Sequence, residues 1–417
     1  MKKWYKICMI AVFTIILCTV VWIGTVQTRD NEGSVPVNAQ EATYSGTEKP
    51  TPPATEPIES RFTAAQLEQL KTEIMCKLEE NSFSGSVLIG AGDEILVDVA
   101  MGYSDIKDEV KNTTTTKYEL GSVTKQFTAA AISKLAQEGK LSVDDTLDTY
   151  FKDFKDGKKV TIDNLLTMTS GIPDYLNDYI YMVETNERSQ DSTFSKEEFM
   201  DWFNEKELQL DPGSNFHYSN TNYYLLGLII EQVTGESYED YMTKEILDPL
   251  FMYDSSMCMT DASARGYLTV DGEEGTLVDS SYFYSAGEMT STTHDMFKWL
   301  NGFDNGRVVS GDFLTASVSN SKSGFNYGYG WFIDYQGDYY YHTGNTQVFY
   351  SVDLVSFEDD IKVIALSNIN DVTVQQLGKD LFRITEKSLF PGKHDATEPA
   401  TEGTTGEGST ENATKAG

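Results

Sequence analysis

Tyr339-Tyr340-Tyr341-His342-Thr343-Gly344 lies in a region where the sequence reads as one strand after another. Tyr327–Tyr335, Asp338–Thr343, Val348–Phe357 and Ile361–Ser367 are rich in aromatic and β-branched residues, and short Gly or Asp turns separate them. A helix is expected to close this part over Val372–Leu389. Near the other end, Gly85–Gly90 and Ile95–Tyr103 flank Ala91-Gly92-Asp93-Glu94, a hairpin signal. Before it, Thr63 with Gln66 forms a capping box, Phe62 with Leu67 a hydrophobic staple, and Leu67, Leu70, Ile74 and Leu78 share a helical face. From Ser122 to about residue 300 the pattern is mostly helical. The expected fold class is therefore α/β in the α+β sense. An antiparallel sheet built from both ends of the body is flanked by helices, and the helical block forms a second subdomain.

The 417 residues include 32 Lys+Arg against 65 Asp+Glu, a net charge of −33, most of it between residues 61 and 390. Phosphate binding needs a positive surface, so no nucleic-acid partner is expected. Of the four cysteines, Cys8 and Cys18 lie in an apolar N-terminal run, while pairing of Cys76 with Cys258 is left open. There is no Cys-x-x-Cys or His-Glu-x-x-His spacing, so neither a metal nor another cofactor is expected.

Residues 1–29 hold Lys2, Lys3 and Lys6 and then an uncharged run from Ile7 to Val26, which as a helix would span about 30 Å. The expectation is a single-pass anchor in the cell membrane with the body extracellular, or a secreted protein if the segment is a cleaved signal peptide. Residues 30–60 and 391–417 are rich in Thr, Glu, Pro and Gly and read as a disordered stalk and tail around a domain at 61–390.

Three constellations could carry chemistry. Gly121-Ser122-Val123-Thr124-Lys125 opens a helical pattern with Phe127, Ala131, Ile132 and Leu135 on one face. Residues three apart are neighbours on a helix, so the Lys125 amine can reach the Ser122 hydroxyl. A serine becomes a nucleophile when a base takes its proton, and burial can lower a lysine pKa enough for that task. The same spacing recurs at Ser104/Lys107 and Ser319/Lys322, without the helix start. Tyr218-Ser219-Asn220 follows a glycine-bearing loop: a tyrosine can shuttle a proton, and an asparagine amide can orient a substrate carbonyl. Tyr175-Leu176-Asn177 is a competing copy. In His342-Thr343-Gly344, the glycine would let a substrate backbone approach the strand edge and Thr343 can donate to a carbonyl or carboxylate. His342 is expected to titrate near pH 6.5, with the acidic body raising its pKa.

These three motifs, in this order, resemble the serine β-lactamase and penicillin-binding family, in its class C-like branch. Two further runs extend the resemblance over residues 61–390. Leu165-Leu166-Thr167-Met168-Thr169-Ser170-Gly171-Ile172-Pro173 is similar to the family's L-L-x-H-x-S-G-[LI]-P, with Met168 at the usual His. Ser285-Ala286-Gly287-Glu288-Met289-Thr290-Ser291-Thr292 is similar to its A-G-G-[LM]-x-S-T. The resemblance implies a β-lactamase/DD-peptidase-like fold with Ser122 as the acylated nucleophile, Lys125 as its base and Tyr218 in proton transfer. It implies Asn220 on the substrate amide, and His342, Thr343, Gly344 and Asn345 at the substrate. The Ser122 and Asn345 backbone N–H groups would form the oxyanion hole. His342 instead of Lys resembles D-alanyl-D-alanine carboxypeptidases, esterases and D-amino-acid amidases of the branch. The expected partner is a small peptide or ester, with peptidoglycan the first candidate. A penicillin-recognising sensor without efficient turnover is the reading from another class.

Overall fold

The computed structural model describes residues 60–189, 192–275, 279–371 and 373–391. The anchor at 1–29, stalk residues 30–59, Val372 and tail residues 392–417 lie outside the described residues. Among the described residues no helix is long and apolar enough to cross a membrane.

Thr63 caps α1 (Ala64–Glu80), and Gln66 returns the bond to the Thr63 N–H. Leu70, Ile74 and Leu78 are its buried face. The hairpin follows as β1 (Gly85–Ala91) and β2 (Glu94–Met101). Gly92 turns it at φ 61°, and Gly102 ends it at φ 72°. Short strands β3 (Tyr103–Asp105), β4 (Val110–Lys111) and β5 (Tyr118–Glu119) lead to a 3₁₀ turn, Gly121–Val123, and α2 (Thr124–Gln137). The helical block then holds α3 (Ile162–Leu166), α4 (Tyr175–Glu184), α5 (Lys196–Asn204), α6 (Asn220–Thr234) and α7 (Tyr238–Met242). After β6 (Thr290–Ser291) come α8 (Thr293–Asp304) and α9 (Gly311–Ser317). The chain ends in β7 (Phe332–Asp334), β8 (Tyr339–Asn345), β9 (Tyr350–Ser356), β10 (Ile361–Ser367) and α10 (Thr373–Leu389).

The main sheet runs β2-β1-β10-β9-β8-β7, every pair antiparallel. N- and C-terminal strands are therefore hydrogen-bonded partners: Val87 faces Ala365 and Ile89 faces Val363. Alternate residues point to opposite faces. Val87, Ile89, Val363 and Ala365 pack with Leu70, Ile74 and Leu78 of α1 and Leu381 and Phe382 of α10. Leu88, Ile364 and Leu366 point the other way, into the core of the helical block with Phe127 of α2 and Trp299 of α8. The fold is the expected antiparallel sheet flanked by helices, with Ser122 in the 3₁₀ turn that leads into α2 and Lys125 in the first turn of α2.

The expected strand Tyr327–Tyr335 shortens to β7, with Tyr327 making only an isolated bridge to Phe332. Gly330 is the reason. At φ 86° its backbone lies over α2, where a Cβ would come within 2.9 Å of Gln126 Cα. Cys76 and Cys258 are free thiols.

Candidate active site

Between Gly121 and Ser133, Ser122 is the one residue that is not buried. Lys125, one turn on, is fully buried. Its Nζ lies 2.8 Å from Ser122 Oγ, 2.8 Å from Asn220 Oδ1 and 2.8 Å from the Ala286 carbonyl. Burial lowers the Lys125 pKa to about 7, against the pull of the Asp174 charge. The two oxygens other than Ser122 can only accept. In the neutral amine, two N–H bonds therefore go to Asn220 and Ala286, and the lone pair is left facing the Ser122 hydroxyl. The competing serines are spent elsewhere. Ser104 donates to the Val110 and Lys111 carbonyls, and Ser319 to that of Thr315.

Tyr218 is half-buried, its ring centroid 5.1 Å from Lys125 Nζ, and its hydroxyl interacts with the Ser122 side chain. Burial pushes its phenol above the usual value, so it stands as a protonated donor. The competing Tyr175 is buried and donates to the Tyr282 carbonyl. Asn220 is the first residue of α6. The amide that the resemblance assigns to a substrate is bonded at both ends within the protein: Oδ1 to Lys125, and Nδ2 to Asp174 Oδ2 at 2.8 Å.

His342 is 1 % exposed. Its Nδ1 is 2.6 Å from the Thr343 carbonyl and its Nε2 3.0 Å from the Tyr327 hydroxyl. The expectation of titration near pH 6.5 is corrected: burial, with the neighbouring Lys125, lowers its pKa to about 3. The net charge of the body is outweighed because desolvation acts at contact while distant charges are screened. The ring is therefore neutral, with a proton on Nδ1 toward the Thr343 carbonyl and Nε2 accepting from Tyr327. Along β8, Thr343 is half-buried and Asn345 exposed, while His342 and Gly344 point inward.

The reading of Gly344 also changes. A Cβ there would lie 1.8 Å from the Leu120 carbonyl oxygen, so the glycine accommodates the protein's own backbone. Gly121, at φ 53°, would bring a Cβ within 2.7 Å of Asn345 N. The nucleophile turn and the end of β8 thus meet backbone to backbone, next to the Ser122 and Asn345 N–H groups. Ser351 Oγ bonds the Leu120 carbonyl at 2.6 Å, and Thr346 Oγ1 bonds Glu119 at 2.6 Å.

Four contributors escaped sequence reasoning: Asp174, the Ala286 carbonyl, Tyr327 and Glu119. Asp174 had a usable signal, an Asp directly before an apolar helical run. Met168, at the position of the resembled family's His, is buried at φ 56°. Its sulfur accepts from Asn222 Nδ2 at 3.2 Å and Ser219 N at 3.5 Å. One carboxylate group that could hold a metal ion, Asp338, Asp359 and Glu386 with oxygens within 4.8 Å of one another, includes none of the residues around Ser122.

Residues 67–382 match the protein family described as beta-lactamase. Protein flp of Staphylococcus aureus (strain NCTC 8325 / PS 47) is 32% identical over 343 residues, 77% of this chain and 67% of that one. The putative penicillin-binding protein PbpX of Bacillus subtilis (strain 168) is 29% identical over 329 residues, 76% of this chain and 80% of that one. Among solved structures, the octameric penicillin-binding protein homologue from Pyrococcus abyssi superposes with a TM-score of 0.66 at 27% identity, covering 77% of this chain and 79% of that one. The D-amino acid amidase from Ochrobactrum anthropi SV3, complexed with L-phenylalanine amide, reaches 0.68 at 22% identity, covering 77% and 99%. At that identity it shows the shared fold.

Proposed function

The chain belongs to the beta-lactamase family, and we propose that it is a serine hydrolase working outside the cytoplasm through an acyl-enzyme, with D-alanyl-D-alanine-type peptides of peptidoglycan as first substrate. The observation that carries the chemistry is the three-way hold on Lys125 Nζ, with a pKa of about 7.

In this reading neutral Lys125 takes the Ser122 proton as Oγ attacks the substrate carbonyl carbon. The developing oxyanion faces the Ser122 and Asn345 N–H groups. As the carbon–leaving-group bond breaks, Tyr218 relays the proton held by Lys125 to the departing amine or alkoxide, which leaves Lys125 neutral and Tyr218 protonated again. Water then attacks the ester on Ser122 with the same groups acting in reverse. The name of the Bacillus subtilis relative, a putative penicillin-binding protein, supports recognition of penicillin. The apolar run Ile7–Val26 supports the location.

A second reading is favoured by His342. A neutral imidazole supplies no cation for a substrate carboxylate. Lys322, the only basic side chain between Arg307 and His342, is paired with Asp144 and Asp163. An uncharged ester or D-amino-acid amide fits that site better than a free carboxyl terminus. The test is one panel on the full chain: a D-Ala-D-Ala peptide, a D-amino-acid amide, a short-chain ester and a chromogenic cephalosporin. Release of D-alanine supports the first reading, and turnover of ester or amide alone supports the second. Covalent capture of the cephalosporin with no turnover of anything would replace both with the sensor.

A further inference from the structure

Asp174 is half-buried on the far side of Asn220 from Lys125, and nothing in the acylation steps above uses it. Its two carboxylate oxygens do different work. Oδ1 accepts from Leu176 N at 2.8 Å and Asn177 N at 3.4 Å, capping α4. Oδ2 accepts from Asn220 N at 3.0 Å and Asn220 Nδ2 at 2.8 Å, at the start of α6. All four partners are N–H donors at two helix N-termini, which suits the ionised form. Burial pushes the carboxyl above its ordinary value, while the Asn220 and Leu176 N–H groups and Lys125 pull it back.

We propose that Asp174 is the positioning residue of this site: its carboxylate holds the Asn220 amide with Oδ1 toward Lys125 Nζ, and so aims the Lys125 lone pair at Ser122. This rests on the reading of Lys125 as the base. An asparagine amide is nearly symmetric in shape and can turn over. Turned over, it would present Nδ2 to Lys125, and the amine would accept from Asn220 instead of from the Ser122 hydroxyl. The anion at Oδ2 makes that orientation unfavourable, because it would face the amide oxygen.

The same carboxylate sets the charge felt by Lys125. The titratable groups around the amine are Asp174 on the α4 side, Tyr218 and Tyr223 at the α6 side and His342 on β8. Burial keeps both tyrosines protonated and His342 neutral. Asp174, with four N–H donors on its two oxygens, is the one carboxylate of the set, and its charge raises the Lys125 pKa. Removing its charge must lower that pKa and move the acid limb of kcat/KM to lower pH.

The experiment measures kcat/KM against pH for a chromogenic ester in the full chain, for Asp174→Asn, Asp174→Ser, Asn220→Ala and the double variant Asp174→Ser/Asn220→Ala. Serine still caps α4, so Asp174→Ser separates positioning from helix capping. Both Asp174 variants should lose about 10²-fold in kcat/KM, the scale of a misplaced catalytic group. Their acid limb should fall by about one pH unit, the scale of one neighbouring charge. The double variant should lose no more than the worse single variant. With Lys125→Arg inactive, an unmoved limb or additive losses overturn the proposal alone. Acylation retained in Lys125→Arg overturns the base reading and the proposal together.

Discussion

Gly344 and Leu120 touch through their backbones: a Cβ on Gly344 would lie 1.8 Å from the Leu120 carbonyl oxygen. That contact holds the end of β8 against the turn carrying Ser122. Gly344→Ala must push the two apart, since neither partner is a side chain that can swing away. The variant should lose about 1–3 kcal/mol of stability and nearly all ester hydrolysis. Thermal melting and a turnover assay check this. An active Gly344→Ala with an unchanged Tm would mean that the seam has slack.

The nucleophile and base separate cleanly. Ser122→Ala should abolish labelling by a fluorescent penicillin or a fluorophosphonate. Lys125→Arg keeps a charge but no base, and should slow acylation by about 10²–10⁴-fold. Labelled peptide carrying Ser104 or Ser319 would redirect the assignment.

Much of this was legible because it is local. The capping box at Thr63, the hairpin at Gly92 and the Ser122–Lys125 spacing each depend on residues a few positions apart. What was not legible depends on contacts across the chain. Asp174 acts on Asn220, 46 residues away. The Ala286 acceptor is a backbone carbonyl with no side-chain signature. Tyr327 is one of 24 tyrosines, and only the fold places it at His342. Net charge gave the wrong sign for the His342 shift because composition carries no information on burial.

Stability should fall between pH 5 and pH 7.5. Burial pushes the carboxyls of Glu119 and Asp353 up to about 7 and that of Glu288 up to about 8. The folded protein keeps these protons after the unfolded chain, titrating near about 4, has released them. Stability is therefore lost as pH rises through that window. Two groups act oppositely: His342, lowered to about 3, opposes the fall below about 6.5 with one proton against three, and Lys125 does so only above about 7, where the unfolded lysine holds a proton that the folded one lacks. Among the described residues Asp353 Oδ2 has no hydrogen-bond partner, and Asp353→Asn, which removes a titrating carboxyl, should flatten the fall. A parent Tm that climbs from pH 5 to pH 7.5 would contradict this.

Residues 7–26 motivate a separate test. Full-length protein should sediment with membranes and be released by detergent but not by salt, because the acidic body offers anionic lipid no attraction. A mature N-terminus near Gln40 would show cleavage and remove the anchor.

The last prediction concerns His342. With its pKa at about 3, the imidazole stays neutral from pH 5 to pH 8. An anionic D-Ala-D-Ala peptide and an uncharged ester should then share one acid limb near pH 7, where Lys125 loses its proton. A protonated working His342 would add a second step for the anionic substrate, with kcat/KM falling as pH rises past that pKa. His342→Gln replaces one neutral group by another, so it should keep the parent's midpoint. It should also lose about 1–3 kcal/mol of stability if the Tyr327 hydroxyl is left unpaired. If the midpoint moves in His342→Gln, or a falling limb appears only with the anionic peptide, the imidazole is charged in the working range and burial does not govern it.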